Sequence, residues 1–322
     1  MQRVTLKHTG LTVSRLCLGT MTFGKQVDQA GARALVGRCL DAGIDFFDTA
    51  NVYQRGEAEV CLGRALGARR RQVVVASKVR GKMGDGAEES GLSRAAMLRA
   101  VEESLRRLGT DYLDIYYLHQ PDYAVPIEET LETMEQLVRQ GKVRYPASSN
   151  YAAWQVTQML SLAEKRGFRP ASITQPMYNL LARGIEQEYL PMAETLGVAT
   201  MVYNPLAGGL LTGKHDPAQP ETGGRFDQNQ MYLDRYWHPQ YFEAVARLRE
   251  VAQRAGRSMI SLSLSWLLHH SPVDGVILGA SRLDQLEENL QACAEGPLPD
   301  DALAGCDKVW ANLRGVTPKY NR

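Results

Sequence analysis

An excess of charge of one sign is missing from this chain. The sequence has 37 Lys and Arg residues against 36 Asp and Glu, which leaves a formal net charge of +1. Nucleic acids and anionic membrane surfaces select proteins with basic patches. We therefore expect neither as a partner, and a small-molecule substrate becomes the default expectation. The composition does not determine the oligomeric state, so a homo-oligomer stays open.

Cysteine is scarce, and no two cysteines form a CxxC pair. The chain has 5 of them, at Cys17, Cys39, Cys61, Cys293 and Cys306. An odd number of widely spaced cysteines is a poor disulfide framework and a poor zinc site. We expect buried thiols in a reducing compartment and no bound metal.

Long hydrophobic runs are also absent. No apolar stretch approaches the roughly 18 residues that a membrane span needs. The first residues, Met1 to Thr5, alternate like a strand instead of following the pattern of a signal peptide. The sequence therefore predicts a cytoplasmic protein without a membrane anchor.

The sequence also lacks a glycine-rich dinucleotide-binding fingerprint. An open Rossmann sheet places GxGxxG directly after its first strand. Here the first barrel-like apolar run is followed by Gly-Thr-Met-Thr-Phe-Gly at 19–24, which has the wrong glycine spacing. The open, doubly wound sheet is therefore disfavoured.

Short apolar runs alternate with amphipathic helical patterns along the 322 residues. A hairpin is predicted first, over 4–13 with its turn at Thr9-Gly10. The strand candidates that follow are 16–18, 44–47, 73–76, 113–118, 143–145, 173–175, 198–203 and 276–278. Apolar strands joined by helical crossovers predict a parallel sheet covered by helices. Eight units and this length favour closure into an α/β (β/α)8 TIM barrel, with residues 1–322 as one domain.

Helix-capping signals support this alternation. Ser93 is a predicted N-cap and Gly109 a predicted stop, and a second helix has Pro126 in its first turn and Gly141 at its end. The longest break runs from Gly208 to about residue 240. A loop of that length in a compact barrel is usually functional.

Reactive side chains follow the predicted strands at the end where such barrels carry their active sites. Asp48 ends the second strand, and Tyr53 follows five residues later. The third strand ends in Lys78, the fourth in His119 and the fifth in Ser148-Ser149-Asn150. We expect these groups to meet at one mouth of the barrel.

This set of side chains suits carbonyl reduction, which needs a hydride for carbon and a proton for oxygen. A tyrosine with its ordinary pKa of about 10 is a weak donor until a nearby cation lowers that pKa. Tyr53 is therefore the hypothetical general acid, Lys78 and Asp48 its tuning pair, and His119 the group that orients the substrate oxygen. A structural ion pair and a turn histidine are the alternatives for these residues taken singly.

The segments that carry these residues resemble the signature motifs of aldo-keto reductases. They are Asp48-Thr49-Ala50-Asn51-Val52-Tyr53 with Gly56-Glu57-Ala58-Glu59 behind it, Lys78 after a Val-rich strand, and Leu118-His119-Gln120-Pro121-Asp122. The resemblance implies the four roles given above. It extends from Arg3 to about Asn289, and the ending at 317–322 resembles the branch of potassium-channel β-subunits and related bacterial reductases.

The resemblance also implies a nicotinamide cofactor. Ser149, Asn150 and Gln175 are similar to the residues that hold its carboxamide, and Tyr203 to the aromatic that stacks on its ring. A helix N-terminus and a cation at 279–282 suit a 2′-phosphate, so NADPH is favoured over NADH. The whole implied set is Gly19, Thr20, Met21, Asp48, Ser149, Asn150, Gln175, Tyr203, Asn204, Pro205, Leu206, Gly208, Lys214, Arg225, Gly279, Ser281, Arg282, Gln285, Glu288 and Asn289.

The fifth strand departs from the family pattern at Pro146-Ala147. Proline removes a ladder donor and is normally confined to edges or bulges, so we expect a slightly reshaped nicotinamide pocket. The residues expected to line the substrate pocket are Met21, Phe23, Tyr53, His119, Tyr123, Tyr236 and Trp237. These residues do not specify which carbonyl compound is preferred.

Two other functions stay open from the residues. A lysine in a barrel mouth can act as the nucleophile of a Schiff-base aldolase. An NADPH-binding regulatory subunit that senses redox state is the second alternative, suggested by the channel-associated branch.

Overall fold

A computed structural model describes residues 1–218, 224–227 and 229–316. The segment 317–322 and parts of the expected long loop, residues 219–223 and 228, lie outside the described residues.

The chain begins with the predicted hairpin. Strand β1 (Arg3–Thr5) pairs antiparallel with β2 (Thr12–Ser14). The connection uses positive φ at His8 (58°) and Gly10 (70°). The hairpin is tied to the fifth barrel strand because the Tyr145 hydroxyl donates to the Thr9 carbonyl at 2.6 Å.

A closed parallel barrel of eight strands follows, which confirms the predicted (β/α)8 architecture. The strands are β3 (Leu16–Gly19), β4 (Phe46–Asp48), β5 (Val74–Val79), β6 (Leu113–Leu118), β7 (Val143–Ser149), β8 (Ile173–Gln175), β9 (Ala199–Val202) and β10 (Gly275–Gly279). Strand β10 pairs with β3 and closes the ring. The register sets Asp48 beside Gly19 on one side and beside Ala76 on the other.

The helices are α1 (Gln29–Asp41), α2 (Glu57–Leu66), α3 (Arg94–Leu108), α4 (Ile127–Arg139), α5 (Ala153–Arg166), α6 (Tyr189–Thr195), α7 (Gln230–Tyr236), α8 (Pro239–Arg254), α9 (Met259–His270), α10 (Leu283–Ala294) and α11 (Asp300–Arg314). The predicted caps of α3 are confirmed: the Ser93 side chain accepts from the Ala96 amide, and Gly109 has φ 64°. Pro126 was predicted in the first turn of α4; it is the N-cap, directly before the first helical residue Ile127.

Strand β7 is longer than its apolar run predicts. It continues through Pro146 to Ser149, which agrees with the placement of Pro146-Ala147 inside the fifth strand. Pro146 pairs with Tyr116 of β6, whereas pairing with β8 begins only at Ala147. The proline therefore lies where one side of the strand has no paired residue, a position that tolerates a missing donor.

The chain divides into two compact units. The first comprises Met1–Pro176, Pro191–Met201 and Asp274–Leu286, and it contains the hairpin and all the barrel strands except the last residue of β9. The second comprises Met177–Leu190, Val202–Val273 and the described part of Glu287–Arg322. The single domain over residues 1–322 stays a prediction.

Two features are absent from the described residues. Within 1–218, 224–227 and 229–316, no helix has both the length and the apolar character needed to cross a membrane. The same part of the chain holds no group of three or more His, Cys, Asp or Glu side chains arranged to bind a metal.

Candidate active site

The ends of three neighbouring strands in the first unit carry the predicted catalytic groups. Asp48 is the last residue of β4, and Lys78 is the second-last residue of β5. His119 follows β6, and its amide donates to the Val79 carbonyl at 2.9 Å. Tyr53 begins the 3-10 turn Tyr53–Gly56, whose entry is closed by a bond from the Tyr53 amide to the Ala50 carbonyl at 3.1 Å. The closed register brings these ends to one rim.

Lys78 is the centre of this group. Its side chain has no exposed surface, and its Nζ donates to the Asp48 carboxylate, to the Thr49 carbonyl at 2.8 Å and to the Tyr53 hydroxyl at 3.4 Å. Burial lowers the pKa of Lys78, but the charges and hydrogen bonds of Asp48 and Tyr53 outweigh it and leave the pKa above its ordinary value. Lys78 is therefore an ammonium with three oxygen acceptors around it.

Asp48 is held from both sides. While one carboxylate oxygen accepts from Lys78, the other accepts from the Gln175 amide nitrogen at 2.9 Å. The Asp48 carbonyl accepts from the Thr20 amide at 2.9 Å and from the Thr20 hydroxyl at 3.1 Å. The carboxylate is buried, so its orientation and that of its cation are determined together.

The Tyr53 and His119 rings meet edge to face, with centroids 5.9 Å apart and an interplanar angle of 79°. Burial lowers the pKa of His119 to about 3, and the positive charges of Lys78 and Arg80 add to this effect. The imidazole is therefore neutral near pH 7. A neutral imidazole donates one hydrogen bond and is a poor proton source, which suits an orienting group.

Backbone strain is concentrated directly after Tyr53. Gln54 (φ 49°) and Arg55 (φ 53°) are both left-handed, and Gly56 follows at φ 96°. The Gln54 side chain donates to the Met21 carbonyl at 3.2 Å. Left-handed residues other than glycine cost about 1–3 kcal/mol each and are common at functional sites. The turn is therefore kept in place by its surroundings and not by its own preferences.

The residues predicted to hold the nicotinamide carboxamide form one network. The Ser149 hydroxyl donates to the Gln175 carbonyl at 2.8 Å. The Asn150 amide nitrogen donates to the His119 carbonyl at 2.9 Å and to the Ser149 hydroxyl at 3.1 Å. Because Gln175 also donates to Asp48, the network joins the predicted cofactor residues to the predicted catalytic residues. No signal in the sequence pairs Gln175 with Asp48.

The donors at 281–282 suit an anionic group. The Ser281 amide and hydroxyl converge on one oxygen of Gln285, at 2.9 and 3.0 Å, beside the first turn of α10. Arg282 is exposed and pairs only with the equally exposed Asp284 among the described residues. Two donors aimed at one oxygen, a helix N-terminus and an exposed guanidinium form a donor set that fits a phosphate. Gly279 is exposed, with open space where a Cβ would be.

Several predicted cofactor residues belong to the second unit, where the Asn204 side chain forms hydrogen bonds with two other residues. Its amide nitrogen donates to the Tyr236 hydroxyl at 2.8 Å, and its carbonyl oxygen on the side chain accepts from the Gly208 amide at 2.8 Å. Gly208 has φ 70°, and a Cβ there would lie 2.8 Å from the Tyr232 ring. Of the other members in this unit, Pro205 and Asn289 are buried, Tyr203, Leu206 and Arg225 are half-buried, and Lys214 and Glu288 are exposed.

The residues predicted to line the substrate pocket differ widely in exposure. Phe23 and Tyr236 are 0% and 1% exposed, so neither presents a surface to a substrate here, whereas Tyr123 is 85% exposed. Trp237 is half-buried and contacts the Phe226 ring, with centroids 4.9 Å apart. Their assignment to a pocket stays a prediction.

Arg107 was not among the residues that the sequence predicted for the site. It lies in α3, and its Nε donates to the fully buried Glu59 carboxylate at 2.6 Å. Glu59 belongs to the motif that follows Tyr53, but its partner is 48 residues away. The only sequence signal was an arginine near the end of a helix, which capping alone explains.

Comparison with known proteins identifies the family of the chain. The family model of the aldo/keto reductase family matches residues 15–311. Aflatoxin B1 aldehyde reductase member 2 of Rattus norvegicus is 37% identical over 325 residues, covering 95% of this chain and 87% of that protein. Aldo-keto reductase family 7 member A3 of Homo sapiens is 36% identical over 323 residues, covering 95% and 96%.

A probable voltage-gated potassium channel subunit beta of Oryza sativa subsp. japonica is also similar, at 36% identity over 305 residues, covering 92% of this chain and 93% of that protein. The similar proteins thus include both reductases and channel subunits. The family match spans nearly the whole chain, including every strand of the barrel. The chain therefore belongs to the aldo/keto reductase family and is an oxidoreductase.

Proposed function

We propose that the protein reduces aldehydes or ketones to alcohols with NADPH, and that Tyr53 is the general acid. The observation that carries this proposal is the position of the Lys78 ammonium, which donates to the Asp48 carboxylate and lies 3.4 Å from the Tyr53 hydroxyl. A buried cation beside a phenol stabilises the phenolate that remains after proton transfer.

Each of the four side chains has a separate role in proton transfer to the substrate oxygen. When bound, the reduced nicotinamide supplies a hydride to the carbonyl carbon. Tyr53 donates its hydroxyl proton to the oxygen, and Lys78 stabilises the resulting phenolate. Asp48 keeps Lys78 charged and in place, since Gln175 fixes the second carboxylate oxygen. Neutral His119 donates a hydrogen bond to the same substrate oxygen and sets its approach.

NADPH is proposed over NADH because of the donors at Ser281 and Arg282. With the cofactor bound, a phosphate oxygen would accept the two Ser281 hydrogen bonds that the Gln285 oxygen accepts here. The Arg282–Asp284 pair is exposed, so the arginine can exchange its partner at little cost. The roles of the predicted cofactor residues in the second unit stay predictions.

The Schiff-base alternative is disfavoured by the state of Lys78. A lysine nucleophile must be a neutral amine. Here the pKa of Lys78 is raised through Asp48 and Tyr53 despite its burial, and its Nζ is already committed to three oxygen acceptors. Borohydride with an aldehyde should therefore leave no covalent adduct on Lys78, as mass spectrometry of the intact chain will show.

Aldehydes are the first substrates to test, because two of the similar proteins described above are named as reductases and one as an aldehyde reductase. A regulatory role is the second candidate, favoured by the similarity to the Oryza sativa channel subunit. We also propose a cytoplasmic location, since all five cysteines are free thiols and four of them are buried.

A steady-state assay on a panel of aldehydes and ketones tests the proposal. NADPH oxidation with one alcohol formed per cofactor consumed is the expected result. Tight NADPH binding without turnover of any carbonyl in the panel would instead support the regulatory role. Light scattering of the same sample gives the oligomeric state.

A further inference from the structure

Arg107 lies behind the turn that carries Tyr53. Its side chain is 10% exposed, and its guanidinium donates to Glu59 at 2.6 Å, to Ser104 at 3.3 Å and to Glu103 at 3.4 Å. Glu59 is fully buried in α2, the helix that follows the Tyr53–Gly56 turn. A buried ion pair therefore joins α3 to the beginning of α2.

The same side chain contacts the turn directly. A Cβ on Gly56 would lie 2.7 Å from the Arg107 Cδ and 2.8 Å from its Nε, so only glycine allows this approach. Gly56 closes the strained turn in which Gln54 and Arg55 are left-handed. Such conformations persist where the surrounding structure over-determines them. Arg107 is the charged side chain that packs against this turn from behind.

The other end of the ion pair reaches the strand that carries Lys78. The Ser77 hydroxyl donates to the second Glu59 oxygen at 2.5 Å. Ser77 directly precedes Lys78 in β5, and successive side chains of a strand point to opposite faces. The series Ser77, Glu59, Arg107 thus connects the lysine strand, on its helix-facing side, to the tyrosine turn.

We propose that Arg107 is a positioning residue that acts through Glu59 and Ser77 to hold the Tyr53 hydroxyl within reach of Lys78. The inference rests on the proposed function, because it takes Tyr53 as the general acid. The separation that it sets is the 3.4 Å between the Tyr53 hydroxyl and Lys78 Nζ. Displacement of a reacting group by about 1 Å can cost roughly 10²-fold in rate, even when the cause is remote from the chemistry.

Arg107→Met tests the inference, because methionine keeps an unbranched apolar side chain and removes the guanidinium. We expect kcat for aldehyde reduction to fall about 10- to 100-fold, with KM and the NADPH dissociation constant nearly unchanged. A readout without cofactor accompanies it. The tyrosine absorbance titration that Tyr53→Phe removes should move to higher pH in Arg107→Met, because the phenolate is then farther from Lys78.

Two further variants separate positioning from stability. Ser77→Ala keeps the buried Glu59–Arg107 pair and removes only the bond to β5; it should shift kcat and the titration in the same direction by a smaller factor. Arg139→Met is the matched control, since Arg139 pairs with Glu135 four residues earlier on α4, is 69% exposed and shares no partner with Arg107. It should leave both readouts unchanged.

The outcomes are distinct. A lower melting temperature in Arg107→Met with wild-type kcat and an unmoved tyrosine titration overturns the inference. If Arg107→Met does not fold, Ser77→Ala decides, and wild-type values for both readouts in that variant overturn it. If the wild-type chain reduces no carbonyl, the proposed function fails, and the titration of the cofactor-free protein still decides whether Arg107 positions Tyr53.

Discussion

Replacing Lys78 with methionine removes the cation on which the proposed acid depends. The Lys78 Nζ lies 3.4 Å from the Tyr53 hydroxyl. With an effective dielectric constant of about 20, a charge pair at that distance is worth about 5 kcal/mol. That value is the stabilisation that the phenolate would lose in Lys78→Met, and it corresponds to between three and four decades in an equilibrium.

Only part of this energy is felt in the transition state, because the proton is then partly transferred. We therefore expect kcat for a good aldehyde to fall by about 10²-fold or more, the usual scale for a positioned acid. The NADPH dissociation constant should change by less than about threefold, since the methionine removes no group proposed to contact the cofactor. Stopped-flow measurement of hydride transfer and fluorescence titration of NADPH provide the two values.

Two control variants separate the loss of the cation from a loss of stability. Lys78→Met leaves the Asp48 carboxylate buried without its cation, which destabilises the fold by about 3–5 kcal/mol. The double variant Asp48→Asn/Lys78→Met removes that charge and should recover stability without recovering kcat. Lys142→Met breaks a lysine–glutamate pair with Glu102 at the surface and should change neither value. A folded Lys78→Met that keeps kcat within about fivefold of wild type would refute the assignment of Tyr53 as an acid tuned by Lys78.

The remaining predictions concern three other residues. Tyr53→Phe keeps the ring and removes the proton, so kcat should fall about 10²-fold or more with an unchanged NADPH dissociation constant; wild-type turnover would show that the site is wrong even though the fold is right. Arg282→Ala should weaken NADPH about tenfold more than NADH in parallel fluorescence titrations, and equal losses for both cofactors would remove the 2′-phosphate assignment. His119 should stay neutral at pH 5, because its pKa is lowered to about 3 by burial and by the nearby cations. In the unfolded chain His119 has its ordinary pKa of 6.5 and binds a proton at pH 5, whereas in the folded chain it does not. The contribution of His119 to the free energy of unfolding is therefore fully present above pH 6.5 and is reduced by about 2 kcal/mol at pH 5. His119→Asn should flatten that part of the unfolding curve, and an imidazole signal titrating near pH 6.5 at His119 would contradict the prediction.

The elements of the fold could be predicted from the sequence because their signals are local. Apolar runs mark each barrel strand within a few residues, and caps such as Ser93 need only their immediate neighbours. Helix α7 (Gln230–Tyr236) is the exception, since it lies in the segment that was predicted to be a long loop. In a parallel barrel the strand ends point to one rim, so the position of Asp48, Lys78 and His119 at those ends also followed from order along the chain.

Contacts between distant segments depended on the register and closure of the barrel. Gln175 donates to Asp48 across 127 residues, and Arg107 reaches Glu59 across 48, and neither pairing leaves a periodic trace in the sequence. Pro146 is accommodated inside β7 because β8 begins its pairing one residue later, which is a property of two strands and not of one. Side-chain burial was decided in the same way: Phe23 has no exposed surface although its position after β3 predicted a place at the pocket. Local pattern thus determined which residues stand at the barrel rim, while tertiary packing decided which of them touch, because contact requires the register of every strand between them.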